Sequence, residues 1–313
     1  MSDSEAQIIV ILGPTASGKT QLAVSLAKKI GAEIISADSR QIYRNMNIGT
    51  GKDLEEYEID GLKIPYHLID ILEAGEKYNL AQFNLDFEQS LEKIKTNKKK
   101  PIVCGGSGLY IQSIIKGYGH LVVPENNDLR NELELKADKE LVEIFKKYNS
   151  LFQYDLSTRK RIIRAIEIEA YKQLNPNQIL INKPKQNFII FGLNPATHTR
   201  RLKISERLKR RLFDENMVQE AKNLIERGLS HDILQFYGLE YKYLSYYLKE
   251  KLSFEEMHKK LETEIHRFAK RQMTFFRSME KRGIQIDWIP DNLNLDEKVN
   301  YIENACKRVY IKF

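Results

Sequence analysis

Apolar residues recur along the chain in two rhythms. Short apolar runs come first. IIVIL (8–12), AEIIS (32–36), YHLIDIL (66–72), PIVC (101–104) and FIIFGL (188–193) are rich in β-branched or aromatic residues and end in polar or glycine-rich tips. Runs of this length bounded by turn residues read as buried strands. Between them the period changes to three or four. Leu22, Ala23, Leu26 and Ile30 share a helical face after Lys19. FNLDFEQSLEKIKTNKKK (83–100) reads as an amphipathic helix whose basic C-terminal end suits its dipole. Alternating buried strands and helices predict an α/β fold on a parallel sheet, with ligands at the C-terminal ends of the strands. From Pro124 to Leu180 the pattern is helical and highly charged with no convincing strand, and the strand period returns at QNFIIFGLNP (186–195). The expected organisation is a core of residues 1–119 and 186–313, interrupted by a helical insertion over 120–185. The remainder is mostly helical, with GIQIDWI (283–289) as a late strand.

The bulk properties then narrow the class. The 313 residues suffice for one large domain or two modest ones, and 42% hydrophobic with 30% charged residues is an ordinary globular balance. No apolar run is long enough to span a bilayer. The start, MSDSEAQ, lacks the basic and apolar segments of a signal peptide and reads as a short tail. Cys104 and Cys306 are the two cysteines, without a C-x-x-C pair. That argues against a disulfide framework or zinc finger and for a cytoplasmic setting. The net charge of +7 and pI near 9.0 suit a polyanionic partner, although solubility alone explains them equally well.

The strongest local signal is GPTASGKT. It matches G-x-x-x-x-G-K-[ST] between a predicted strand and a predicted helix, the context a working P-loop requires. The loop of Gly13, Pro14, Thr15, Ala16, Ser17 and Gly18 would wrap phosphate oxygens with the backbone N–H groups of its residues other than Pro14, with Lys19 adding charge and Thr20 holding Mg²⁺. The motif implies phosphate or diphosphate binding and no more. Asp38 ends the next strand, and three roles are open to it: a magnesium-associated carboxylate, a general base, or a cap for the following segment. The tip after PIVC is Gly105-Gly106-Ser107, with no acidic residue where a nucleotide hydrolase often has one. Basic residues cluster in STRKRIIRAIE (157–167) and SERLKRRL (205–212). On a late helix, Arg267, Lys270, Arg271, Thr274, Arg277 and Lys281 form one stripe. A basic front of this kind suits a phosphate backbone. Ile265, Phe268, Phe275, Phe276 and Met279 read as core.

GPTASGKT, SADSRQIYRNMNIGTGK, GGSGLY, RIIRAIE and RQMTFFR, in this order, resemble the tRNA dimethylallyltransferases (tRNA isopentenyltransferases) of bacterial type. The resemblance implies a P-loop NTPase-like core with a helical insertion that contacts the tRNA anticodon stem-loop. It implies Mg²⁺ and transfer of a dimethylallyl group from dimethylallyl diphosphate to N6 of the adenosine immediately 3′ of the anticodon. By motif matching, Asp38 is the base, and Lys19, Ser107 and Arg211 complete the catalytic set, with Arg207 one turn before Arg211. The tRNA contacts would be Asp38, Ser39, Arg40, Gln41, Ser107, Arg130, Lys160, Arg161, Ile162, Ile163 and Arg164. A monomer is expected. Ser107 stands where threonine is common, and Leu239 and Glu240 replace the usual aromatic and basic residues. The competing readings are a P-loop small-molecule kinase, an adenylate isopentenyltransferase, and an RNA-binding module with a vestigial P-loop.

Overall fold

The structure, a computed structural model, describes residues 7–117, 123–150, 154–176 and 186–310. These fall into two compact units, one within Met1–Ile115 and Lys185–Phe313, the other within Lys116–Pro184. The expected boundaries at 119/120 and 185/186 touch residues outside the described ones.

The first unit is built on six parallel strands: β1 (Ile8–Leu12), β2 (Ala32–Ser36), β5 (Tyr66–His67), β6 (Lys100–Gly105), β7 (Phe188–Leu193) and β8 (Asp287–Ile289). Their order is β5-β2-β6-β1-β7-β8. β1 lies in the middle, paired with β6 through Ile9↔Ile102 to Leu12↔Gly105 and with β7 through Ile8↔Phe188 to Leu12↔Gly192. Every residue of β1 and β2 is buried, as continuous apolar runs with both sheet faces covered require. One face packs against α2 (Leu80–Thr96) and α3 (Gly108–Lys116) around Phe83, Phe87, Tyr110 and Ile111. The other packs against α1 (Lys19–Ile30) through Leu22, Ala23, Leu26 and Ala27 and against α12 (Leu295–Tyr310) through Val299 and Ile302.

A third apolar cluster joins five helices after β7: α7 (Thr197–Phe213), α8 (Met217–Glu226), α9 (His231–Phe236), α10 (Leu239–Leu248) and α11 (Phe254–Lys281). α11 starts with a reciprocal capping box between Ser253 and Glu256. It belongs to both apolar clusters, since Met257, Leu261 and Ile265 enter the helical one and Met273, Phe276 and Met279 enter the sheet one.

Two elements differ from the sequence expectation. YHLIDIL is strand only at its start, in Tyr66–His67. Leu68 and Asp70 take φ of 63° and 55°, and the chain turns out of the sheet there. Residues 54–63, for which no element is expected from sequence, form a short 3₁₀ turn, Leu54–Tyr57, followed by a hairpin of β3 (Glu58–Ile59) and β4 (Leu62–Lys63).

In the second unit, α4 (Asn127–Glu134), α5 (Asp138–Lys146) and α6 (Arg159–Leu174) close on a small core of Leu133, Leu141, Ile162, Ile163 and Ile166. Arg159 ties it together, donating to the carbonyls of Leu133, Glu134 and Lys136 and pairing with Glu134 and Asp138.

Candidate active site

The C-terminal ends of β1, β2 and β6 open into one cleft of about 960 Å³. Its walls include Thr15 to Thr20 of the P-loop, Asp38 to Gln41, Ser107, and Arg207, Arg210 and Arg211 of α7. Gly13 and Pro14 are buried and do not line it.

The two strand tips are fastened to each other. Ser107 donates its N–H to the Ala37 carbonyl at 3.2 Å, and its hydroxyl accepts the Ser39 N–H at 3.1 Å. The Asp38 carboxylate accepts the Arg40 N–H at 3.0 Å, an Asx turn that fixes its direction. Arg40 lies over the ring of Phe236, 4.9 Å from its centroid. Gln41 is a brace: its carbonyl accepts from Ser36 Oγ and its amide donates to the Gly51 carbonyl, each at 3.0 Å.

Gly51 belongs to a loop held by two ions. The Glu220 carboxylate accepts the N–H groups of Asn47, Ile48 and Gly49 at 2.8–2.9 Å and the Tyr241 hydroxyl at 2.6 Å. The fully buried Lys52 ammonium donates to the Tyr43 carbonyl, Asn47 and Asp70. The loop so fixed carries Asp53 into the cleft, where both its carboxylate oxygens accept from Arg211 Nη2 at 2.9 Å. The Arg211 guanidinium lies on the backbone of Gly51, where a Cβ would sit 2.5 Å from Nη2. Arg207, one turn earlier on α7, reaches the P-loop and donates to the Thr15 hydroxyl. Arg211 was expected at the phosphate position; in the structure Arg207 makes the P-loop contact and Arg211 is held by Asp53.

The electrostatics follow from burial. Lys19 is lowered chiefly by desolvation, with Cys104 and Asp38 opposing the shift and Arg207 adding to it. Arg207 is pushed down to about 10 by burial and by Arg211 beside it. Cations held below their ordinary values are short of counter-charge, and an anion between them would restore it. Burial acts to raise Asp53, but Arg211, with Arg207 and Arg210, holds it below the usual carboxylate range. Burial, Asp53 and Glu55 push Glu56 up to about 7. The Ser17 hydroxyl, also on the cleft wall, is buried without a hydrogen-bond partner among the described residues.

Basic residues Arg267, Lys270, Arg271, Arg277 and Lys281 of α11 are all exposed. The aromatic residues of α11 do not all enter the core as expected. Phe276 does, but Phe268 is 41% exposed and lines the cleft with Phe275. In the second unit, Ile162 and Ile163 are 5% and 4% exposed and pack in the core of that unit. Helical geometry turns them inward and their basic neighbours outward, so their side chains are withdrawn as RNA contacts. Arg130 pairs with Glu125 and Glu167, Arg164 with Glu167, and Arg161 with Asp155, while Lys160 is exposed.

Sequence reading passed over Asp53, Glu56 and Gln272. The first two give no motif signal, since a 3₁₀ turn brings them to the cleft. Gln272 carried one: it is a polar residue on the apolar stripe of α11, and buried amides are there to bond something.

The IPP transferase family model matches residues 41–279. The chain is 53% identical over 290 residues to tRNA dimethylallyltransferase 1 of Azobacteroides pseudotrichonymphae, covering 92% of this chain and 94% of that one. It is 49% identical to tRNA dimethylallyltransferase 2 of Bacteroides fragilis, over 98% and 99%. Among solved structures, the tRNA isopentenylpyrophosphate transferase of Bacillus halodurans superposes with a TM-score of 0.71 at 30% identity, covering 97% of this chain and 96% of that one. With a matching family model, relatives near half identity and a shared fold over almost its whole length, the chain belongs to the IPP transferase family.

Proposed function

We propose that this chain transfers a dimethylallyl group from dimethylallyl diphosphate to the N6 amine of the adenosine immediately 3′ of the anticodon in tRNA, releasing diphosphate. The observation that carries this reading is the meeting of a P-loop and a strand-tip carboxylate in one cleft, with the cations Lys19 and Arg207 short of counter-charge between them. The names of the relatives supply the reaction class.

In this reading the allylic carbon–oxygen bond breaks and a carbon–nitrogen bond forms. The electron pair of the broken bond leaves with the diphosphate. P-loop amides, Lys19 and Arg207 stabilise that charge where it develops, and the Ser17 hydroxyl gains a phosphate oxygen as partner. The N6 lone pair is delocalised into the purine ring, so the amine is a weak nucleophile. Asp38 accepts the proton it sheds as the new bond forms, a contribution of roughly 10²–10⁴-fold. The adenine must leave the helical stack to enter the cleft, at a few kcal/mol. Phe236 and Phe268, exposed at the wall, offer apolar faces to an unstacked base.

Magnesium fits the site by the chemistry of its donors. Thr20 presents a hydroxyl at the start of α1, and hard oxygen ligands completed by substrate phosphates are what Mg²⁺ prefers. When bound, the ion supplies further charge neutralisation to the leaving group. Arg130, Lys160, Arg161 and Arg164 remain the proposed contacts of the second unit with the anticodon stem-loop.

Incubation with dimethylallyl diphosphate or ATP, each with and without tRNA, tests the reading. Prenylated adenosine is expected only with the first donor and RNA together. Asp38→Asn is expected to slow the single-turnover rate by about 10²–10⁴-fold while RNA affinity stays within a few fold. ATP consumption stoichiometric with product, or near-normal chemistry in Asp38→Asn, refutes it.

A further inference from the structure

Thr15 is gripped from two sides. Its hydroxyl accepts from Arg207 of α7. Its backbone N–H donates to Gln272 Oε1 at 2.8 Å, and the Nε2 of the same amide donates to the Gly106 carbonyl at 2.9 Å. One side chain from α11 therefore spans the P-loop and the tip of β6, with both ends of its amide used. Gln272 is 8% exposed, so the bridge is shielded from competing water. Gly106 makes room for it: a Cβ there would lie 2.5 Å from Nε2, inside any tolerable contact.

The position of the bridge matters because of the next residue. Ala16 has a φ of 60°, a left-handed conformation that an alanine adopts only when its surroundings impose it. The peptide plane between Pro14 and Thr15, which carries the Thr15 N–H, sets the direction in which the loop enters the left-handed turn at Ala16. A bond to the Thr15 N–H, from an amide fixed at its other end to the Gly106 carbonyl just beyond β6, holds that plane. Without it, the loop is free to relax into ordinary backbone conformations that do not converge on a phosphate.

We propose that Gln272 is a positioning residue that keeps the P-loop in its diphosphate-receiving shape, acting through Thr15. The inference rests on the reading of the P-loop as the diphosphate site. Its effect falls on affinity: the apparent dissociation constant is the intrinsic one divided by the fraction of loops already in the receiving shape. If loss of the bridge leaves one loop in ten competent, affinity drops tenfold.

Two substitutions break the bridge from opposite ends. Gln272→Met keeps the length and volume of the side chain and removes both hydrogen bonds. Gly106→Ala leaves Gln272 unchanged and expels its amide. Inorganic diphosphate is titrated calorimetrically into the full chain with Mg²⁺ and without RNA. Each variant is expected to bind it at least tenfold more weakly. The double variant is expected to fall within twofold of the weaker single, because the two changes remove one interaction. In steady state the KM for dimethylallyl diphosphate should rise in parallel, while kcat falls less than threefold. A merely structural role lowers the melting temperature and the active fraction and leaves both constants unchanged in the protein that remains folded. Diphosphate affinity within twofold of wild type in folded Gln272→Met overturns the proposal. Failure of the wild-type chain itself to bind diphosphate removes the P-loop reading beneath it.

Discussion

Glu56 sits among charges of both signs, and its proton follows from them. Burial, Asp53 and Glu55 push it up to about 7 from an ordinary 4.5, against the pull of Lys19 and Arg207. The folded state therefore holds a proton that the unfolded state releases near pH 4.5. Between pH 4.5 and 7 the native protein binds more protons, so stability falls as pH rises through that window. Replacing Glu56 by the neutral glutamine abolishes this dependence. In urea titrations, Glu56→Gln should gain on wild type between pH 5 and pH 8, by on the order of 1 kcal/mol once solvent screening is allowed for. Parallel pH profiles for the two proteins would show that Glu56 does not titrate in this range. Lys19, Asp38 and Ser107 were legible from sequence because a motif fixes the local backbone around each. Glu56 and Asp53 were not, because their neighbours come from distant parts of the chain.

The spacing of α7 divides labour between two arginines. Arg207 and Arg211 are four residues apart, hence on one face one turn apart, and each meets a different partner. Arg207→Ala is expected to raise the KM for the diphosphate donor at least tenfold with little loss of stability. Arg211→Ala removes the cation that is hydrogen-bonded to the largely buried Asp53 and leaves Arg210, at 3.9 Å, as a more distant partner. It should destabilise the fold by about 3 kcal/mol, as breaking a buried ion pair does. Asp53→Asn tests the same bond from the other side. Chemical denaturation and donor kinetics on the three variants separate the roles, and a greater donor defect in Arg211→Ala than in Arg207→Ala would reverse the assignment. The strands that position this site were readable because burial on both faces leaves an unbroken apolar run. YHLIDIL misled because the same composition suits a buried loop, and positive φ at Leu68 and Asp70 has no apolar signature. The different partners of Arg207 and Arg211 could not be read from spacing alone, since they depend on the approach of Asp53.

Taken over the whole molecule, the excess positive charge is unequally available. In the second unit Arg159 is bound to carboxylates of the same unit, and Arg130 and Arg164 share Glu167, so part of the charge they offer to RNA is already balanced. On α11 the cations are exposed, and Arg271 has a carboxylate no closer than 4.0 Å. Affinity for an anticodon stem-loop should fall linearly with salt on logarithmic axes. Arg271→Ala should reduce that slope by about 0.7–0.9, one phosphate's share. Arg159→Ala should instead lower the melting temperature and leave the slope unchanged. Equal slopes in wild type and Arg271→Ala would take this residue out of the RNA interface. The basic stripe was legible as a pattern, but which arginines are already spoken for depends on acidic partners that charge counting cannot pair.

The strand that carries the P-loop is flanked by β6 and β7, and the register Ile8↔Phe188 joins residues 180 positions apart. On the ribosome this separation becomes a delay. At 5–20 residues per second, roughly 10–35 s pass between synthesis of the two partners. Throughout that interval one edge of β1 has emerged with its backbone amides and carbonyls unmatched, although GPTASGKT itself is already made. The inserted helices, whose contacts are local, are synthesised before β7. The phosphate-gripping strand can therefore be sealed on that edge only once translation has passed Leu193, with the whole accessory unit already synthesised.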